Sequence, residues 1–458
     1  MKTIKFFRPT PEKLGDMFRQ KTKSDAPESN KIYRCDTPSP IRAVAEYEPM
    51  GGVIISYVGT IAPPSNHTQL PPTGPRTFGI PNDLIIKMQQ LDTDHPVRIF
   101  IMCDDQNEKK NIIQSLNETA ASEGLKFDPE LIHLIPWDTD TYWSRDFSPW
   151  WVQYKTSGQF GIAKHIYTTL GGGSVGLVEG AEEVNPREGS GIFRCNDDYG
   201  AVKISDFLNA PIRKWNKARW SNGANLPHID THNWFFTGLL DVGGNYMVTT
   251  DGIIASSYLV ATQNELPTDI DPENPKPSPE TLEARMKYIM EQTNRFLGAN
   301  TYHVFTDPTG TYIGHIDCWG KFLADRKVLI AKSEDPKANV ALDSITKSLE
   351  DEGFEVYRVL CQNIYVPAEN DEPATTAPYT NSLILNDHVY VPIAGGEYAL
   401  YDEKALAVYR QALPGYTVMG IIGKPETPWL GTDALHCRTN AIPRQVVDNW
   451  LKSMGLDK

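Results

Sequence analysis

Val97-Arg-Ile-Phe-Ile-Met102, then Glu108–Glu123, then Leu131-Ile-His-Leu-Ile-Pro136 is the stretch that sets the fold class. The first run is apolar and rich in strand-forming residues, so it reads as a strand. The segment from Glu108 reads as a helix, and Gly124 stops it. A second apolar run follows. Strand, helix and strand in that order make a βαβ unit, and alternation of this kind gives an α/β class.

The alternation continues outward. A short helix over 83–91 precedes the first strand. Ser278 reads as an N-cap with Pro279 at the first helical position, and that helix runs to Gly298. Further helices over 340–352, 402–413 and 444–454 stop at Gly353, Pro414-Gly415 and Gly455. Strands are predicted over 328–331, 355–360, 383–385, 389–393 and 418–422. Globular patterning starts at Ala45-Glu-Tyr-Glu-Pro-Met-Gly-Gly-Val-Ile-Ile-Ser-Tyr-Val58. Residues 1–44 are polar and read as an N-terminal extension, and 45–458 as a single catalytic domain. Stretches 63–75, 171–191 and 265–279 lack the apolar content to bury themselves and read as surface loops. The recurring strand–helix–strand order is compatible with a repeated module, although no sequence repeat is visible.

Composition narrows the function. Lys and Arg number 44 against 58 Asp and Glu, a net charge of −14. Long nucleic acid is an unsuitable partner for such a surface. No apolar run reaches the ~18 residues that a membrane helix needs. The N-terminal Met1-Lys-Thr-Ile-Lys-Phe-Phe-Arg8 lacks the apolar core of a signal peptide, so a cytoplasmic location is expected. A form processed from a secreted precursor would read the same. The six cysteines form no CxxC pair, which gives no zinc ribbon and suits a reducing compartment.

Several islands carry catalytic residue types. Cys437 stands between His436 and Arg438, where cationic neighbours can favour a thiolate, although a buried Cys also serves as packing. Trp143, Arg145 and Asp146 lie among aromatics: a carboxylate beside such a wall suits a planar cation, or the Arg–Asp pair fastens a loop. His315 and Asp317 are two apart and would share one face of a strand. Such a pair serves acid–base chemistry or binds metal. His228-Ile-Asp230-Thr-His232 repeats the spacing and keeps a metal-dependent hydrolase open. Asn381 could orient a substrate or a catalytic group, or form a turn. Asp241 precedes Gly243 and Gly244, which permit close backbone approach. Taken together, a thiolate, a His, two carboxylates and an aromatic wall suit a guanidinium. The carboxylates hold its N–H groups, the thiolate attacks its central carbon, and the His moves protons.

Trp143-Ser-Arg-Asp146, Gly243-Gly-Asn245, His315-Ile-Asp317-Cys-Trp319, Tyr379-Thr-Asn-Ser382 and Asp433-Ala-Leu-His-Cys437-Arg-Thr439, in this order, resemble the guanidino-group-modifying superfamily. Within it, the chain is similar to the bacterial (Porphyromonas-type) peptidylarginine deiminases, with the agmatine deiminases as cousins. Leu435-His-Cys-Arg-Thr439 and Tyr379-Thr-Asn-Ser-Leu-Ile-Leu385 look closer to the peptidylarginine type. The resemblance implies a pentein fold, a five-bladed α/β propeller of ββαβ modules, with no metal and no cofactor. It also implies Cys437 as nucleophile, His315 as general acid/base, Asp146 and Asp317 as guanidinium clamps, Asn381 as a positioning group and Trp143 as pocket wall. Arg145, Tyr312, Arg194, Asp241 and Gly244 complete the expected substrate contacts.

The implied reaction is deimination of peptidyl or free arginine to citrulline and ammonia through a covalent thiouronium. Agmatine deimination and transfer of the amidino group are the alternatives within the class, and a non-catalytic arginine binder lies outside it. The implied partners are an arginine-containing peptide, free arginine or agmatine, and a homodimer is a possible assembly. One departure stands out: the paired Arg motif that grips a C-terminal carboxylate in the peptidylarginine type is absent. Arg194 alone looks like its remnant, with Tyr312 at a further carboxylate-contacting position.

Overall fold

In a computed structural model the described residues are 40–59, 75–92, 94–167, 194–221, 228–264, 279–308, 314–364, 375–425, 427–429 and 431–456. Tyr312, the Ser278 cap and most of the three predicted surface loops lie outside them.

The opening stretch folds as read. Strands Arg98–Met102 and Ile132–Ile135 are parallel neighbours joined through helix Glu108–Glu123. Ile112, Leu116 and Ala120 recur every four residues, so one helix face is buried with Ile99 and Ile101 of the sheet. Burying each Ile or Leu contributes about 1.5–3 kcal/mol. Gly124 ends the helix in the left-handed conformation at φ 65°, which costs a residue without Cβ nothing.

One topology recurs through the chain. Trp150–Tyr154 and Phe160–Ile166 pair antiparallel, and after helix Gly200–Ser221 the strand Asn233–Leu240 joins parallel. Met247–Val248, Ile253–Ser257 and Thr301–Phe305 repeat this around helix Pro279–Leu297. Gly320–Ala324, Lys327–Ser333 and Glu355–Cys361 do so around Pro336–Asp351. Leu383–Leu385, His388–Ile393 and Thr417–Ile422 do so around Ala399–Ala412. In the remaining module the leading strand comes from the far end of the chain. Asn440–Pro443 pairs antiparallel with Met50–Ser56, which is parallel to Arg98–Met102. The described residues therefore hold five ββαβ modules, and the last one ties the two ends of the body together.

Ile41–Ala43, inside the stretch read as an extension, is an edge strand beside Val152–Tyr154. Helix Gly200–Ser221 contains Pro211, a residue that argues against a helix interior. Its Ile204, Leu208 and Ile212 are spaced by four and buried, and Ile204 and Leu208 cluster with Val446 and Trp450 of helix Arg444–Ser453. No helix among the described residues is long and apolar enough to cross a membrane.

Candidate active site

The modules explain why five distant islands meet. Each island immediately precedes the leading strand of a module. The turn Ser144–Phe147 precedes Trp150–Tyr154, and Gly243–Asn245 precedes Met247–Val248. Ile316–Cys318 precedes Gly320–Ala324, Tyr379-Thr-Asn-Ser382 precedes Leu383–Leu385, and Asp433–Thr439 precedes Asn440–Pro443. A repeated topology brings the same end of each module to the same region, so its entry loops assemble one site.

Gly244 marks the centre. A Cβ built on it would lie 2.7 Å from His315 Nδ1, 2.9 Å from Asp146 Oδ1 and 3.1 Å from Asp317 Oδ2. Its N–H donates to Asp146 Oδ1 at 3.1 Å. The Cys437 thiol donates to Asp317 Oδ2 at 3.4 Å and accepts from Asn381 Nδ2 at 3.0 Å. Asn381 Oδ1 in turn accepts from the N–H groups of Cys437 at 3.2 Å and Ala434 at 3.1 Å. Asn381 therefore holds both the sulfur and the loop that carries it. His315, Asp317, Asn381 and Cys437 are all buried. His315 Nδ1 has no partner among the described residues.

The His–Asp pair does not lie on a strand. Ile316–Cys318 is a 3₁₀ turn with His315 extended at its N-cap, so a tight turn, and not a shared strand face, brings the two side chains to Gly244. Arg145 is also placed differently from expectation. Its backbone N–H donates to the Cys437 carbonyl at 3.1 Å, while its guanidinium bonds the His436 carbonyl at 3.2 Å and Asn440 Oδ1 at 3.3 Å. That side chain lines a cavity of about 70 Å³ shared with Asp317 and His436, whose lining does not include Cys437, Asp146 or His315. Asp241 accepts from its own loop, at Val242 N, and joins none of these contacts. Trp143 donates from Nε1 to Asp433 Oδ2 at 2.9 Å, and the Arg194 guanidinium lies 4.6 Å over its ring. Arg194 also donates to the Tyr167 hydroxyl at 2.7 Å. His228 pairs with Asp230 at 3.9 Å on the surface, while His232 is buried against Asn209. Among the described residues no three His, Cys, Asp or Glu side chains are grouped as metal ligands.

Burial and charge divide the acids. Burial pushes the Asp146 carboxyl up to about 6, helped by Asp317 and opposed by His315. Asp317 is buried too, yet its hydrogen bond and ion pair with His436 hold it below the ordinary carboxylate range. Burial, with Asp317, Asp433 and Asp146 adding negative charge, pushes the Cys437 thiol well above its ordinary value. The unliganded site thus holds a neutral thiol beside charged carboxylates. Alkylation of Cys437 by iodoacetamide is accordingly expected to be slow at neutral pH. Its rate should rise about tenfold per pH unit from 7 to 9, as thiolate appears only when pH climbs towards a raised pKa. Mass spectrometry of the peptide carrying Cys437 measures this; a plateau already reached at pH 7 contradicts it.

A model of the Porphyromonas-type peptidyl-arginine deiminase family matches residues 250–443, a span that includes three of the five islands, those of His315, Asn381 and Cys437, and leaves out the Asp146 and Gly243 islands. Over those residues the chain is similar to that family. Its fold is that of several solved deiminases. Agmatine deiminase of Enterococcus faecalis matches at 18% identity over 88% of this chain and 96% of that one, with a TM-score of 0.59. A Porphyromonas gingivalis protein assigned as an arginine deiminase matches at 16% identity over 88% and 99%, with a TM-score of 0.54. The agmatine deiminase of C. jejuni matches at 13% identity over 88% and 96%, also at 0.54.

Two members of the site, Glu46 and Lys321, escape a reading by motif, and the contacts of His436 are not legible in its motif. Glu46 accepts Lys321 Nζ on Oε1 at 3.0 Å and on Oε2 at 2.8 Å, and meets His436 Nε2 at 3.1 Å. His436 Nδ1 contacts Asp317 Oδ2 at 2.8 Å. Lys321 inside the apolar run Gly320-Lys-Phe-Leu-Ala324 was the available signal, since a lysine buried in a strand requires a buried acid.

Proposed function

We propose that this protein is a guanidino deiminase that hydrolyses the guanidinium group of arginine, peptidyl or free, to citrulline and ammonia. The observation that carries the reading is the convergence of Cys437, His315, Asp146 and Asp317 around Gly244, with Asn381 on the sulfur. Asp146 and Asp317 bind the planar cation through its N–H groups, and Trp143 forms a wall. The bound cation offsets the negative surroundings that hold the Cys437 proton in place, so the thiol passes that proton to the His315 imidazole and the thiolate forms when substrate arrives. Its sulfur bonds to the guanidinium carbon, His315 delivers a proton to the departing nitrogen, and ammonia leaves. Water activated by the same imidazole then adds to the thiouronium carbon. The C–S bond breaks and returns the thiol with the ureido product.

The test is a panel of agmatine, free arginine, and peptides with internal or C-terminal arginine, assayed for ammonia and the ureido group in stoichiometric amounts. Turnover of an arginine substrate at least tenfold faster in kcat/KM than agmatine is the expected result. Preference for agmatine moves the chain to the cousin activity, and no turnover of any member rejects deimination.

A further inference from the structure

We propose that Glu46, acting through His436, is a positioning residue of this site: the buried chain Lys321–Glu46–His436–Asp317 keeps a doubly protonated imidazole beside Cys437 and aims Asp317 at the substrate. The inference rests on the deimination reading for its assay and on its own geometry for its content. His436 is buried, and its two ring nitrogens each face a carboxylate oxygen, Asp317 Oδ2 at 2.8 Å and Glu46 Oε2 at 3.1 Å. A neutral imidazole has one N–H, whereas donating to both acids takes two. The ring therefore carries a positive charge one residue from the nucleophile.

Glu46 is built to stay ionised and still. Burial favours its neutral form, but the charges of Lys321 and His436 hold it well below the ordinary carboxylate range. Its Oε1 also accepts the Ile384 N–H at 2.9 Å, so the carboxylate is fixed by three separate modules. The His436 backbone is pinned as well: its N–H donates to the Asn381 carbonyl at 3.0 Å, and its carbonyl accepts Arg145 Nε at 3.2 Å. The charged and titratable groups facing the imidazole are thus Glu46, Asp317, Lys321 behind Glu46, and Arg145. Cys437, Asp433 and Arg438 belong to its own loop, and Arg438 is committed to Asp433 at 2.8 Å. Asp317 contacts His436 and Cys437 through the same oxygen, so loss of the imidazolium changes the atom that receives the thiol hydrogen bond.

The experiment compares kcat and KM from pH 5.5 to 9 for the parent, Glu46→Gln and Glu46→Asp, using the best substrate of the panel. Glutamine keeps an acceptor for Lys321 and Ile384 but removes one of the two negative charges that face the His436 N–H groups, so the second proton is held less firmly as pH rises. The expected result is a kcat about 10–100-fold below the parent at pH 8, recovering to within about threefold at pH 5.5, with KM changed little. Glu46→Asp, which retains the charge, should keep the parental profile shape. Because Glu46→Gln strands a buried ammonium, the Glu46→Gln/Lys321→Met pair is measured alongside and should show the same acid recovery. A profile parallel to the parent at every pH, whether unchanged or uniformly lowered, overturns the proposal. An inactive parent would instead reject the deimination reading, and the two failures stay distinct.

Discussion

Cys437→Ala is expected to lower kcat/KM on the preferred guanidino substrate by about 10⁴-fold or more, the scale on which loss of a nucleophile reduces catalysis. The described free cysteines are Cys103, Cys318, Cys361 and Cys437. Only Cys437 combines a contact to Asp317 with the Asn381 amide on its sulfur. Cys318 approaches the other Asp317 oxygen at 3.8 Å, and burial with Asp317 raises its thiol strongly as well, so it is not a substitute. The fold should survive, because the change removes one small atom and leaves the Asn381 contacts to the loop backbone intact. A cost of about 1–3 kcal/mol is expected from the unpaired amide hydrogen. Substrate affinity, measured by calorimetry, should remain within about tenfold, since the clamping carboxylates stay. Ammonia release above one part in about a hundred of the parental rate would remove Cys437 from the mechanism.

The degree to which the sequence is legible follows from the physics of each part. Strand and helix periodicity is local, so the βαβ stretch and the C-terminal helices are readable to within a few residues. Helix Gly200–Ser221 is not, because Pro211 reads as a breaker while the packing of Ile204 and Leu208 on Trp450 overrides it. The site motifs are readable because reactive residue types are uncommon in apolar surroundings. Their convergence is not readable from spacing alone. It depends on five modules starting at one end of the fold, a property of topology. The His315–Asp317 spacing suggested a strand face, whereas a 3₁₀ turn delivers the pair. Glu46 escapes notice because it sits beside a second acid, Glu48, in a stretch that reads as an unremarkable strand entrance. Only tertiary contacts separate the two. Glu46 meets Lys321 and His436, while Glu48 pairs with Arg42 at 2.6 Å.

Gly244→Ala should disable the site while leaving most of the fold standing. The added methyl would sit 2.7 Å from His315 Nδ1, 2.9 Å from Asp146 Oδ1 and 3.1 Å from Asp317 Oδ2. The first two distances are shorter than a carbon tolerates against nitrogen or oxygen and the third is tight, so at least two side chains must move. The third cannot simply follow: Asp317 is tethered to His436 at 2.8 Å, and Asp146 accepts the Gly244 N–H itself at 3.1 Å. A displacement near 1 Å in a clamp or an acid–base group costs about 10²-fold, and with two groups displaced kcat/KM should fall by about 10²–10³-fold. Overpacking of this kind costs about 1–3 kcal/mol of stability, which a domain of this size withstands. The neighbouring glycine sets the contrast. A Cβ on Gly243 would lie 2.0 Å from the Arg145 carbonyl oxygen, a backbone atom, so Gly243→Ala should lower urea stability more than Gly244→Ala does. Kinetics and urea unfolding on the two variants separate a glycine that makes room for chemistry from one that makes room for the chain. A Gly244→Ala protein within threefold of parental kcat/KM would mean that His315, Asp146 and Asp317 do not work from the positions in which they meet here.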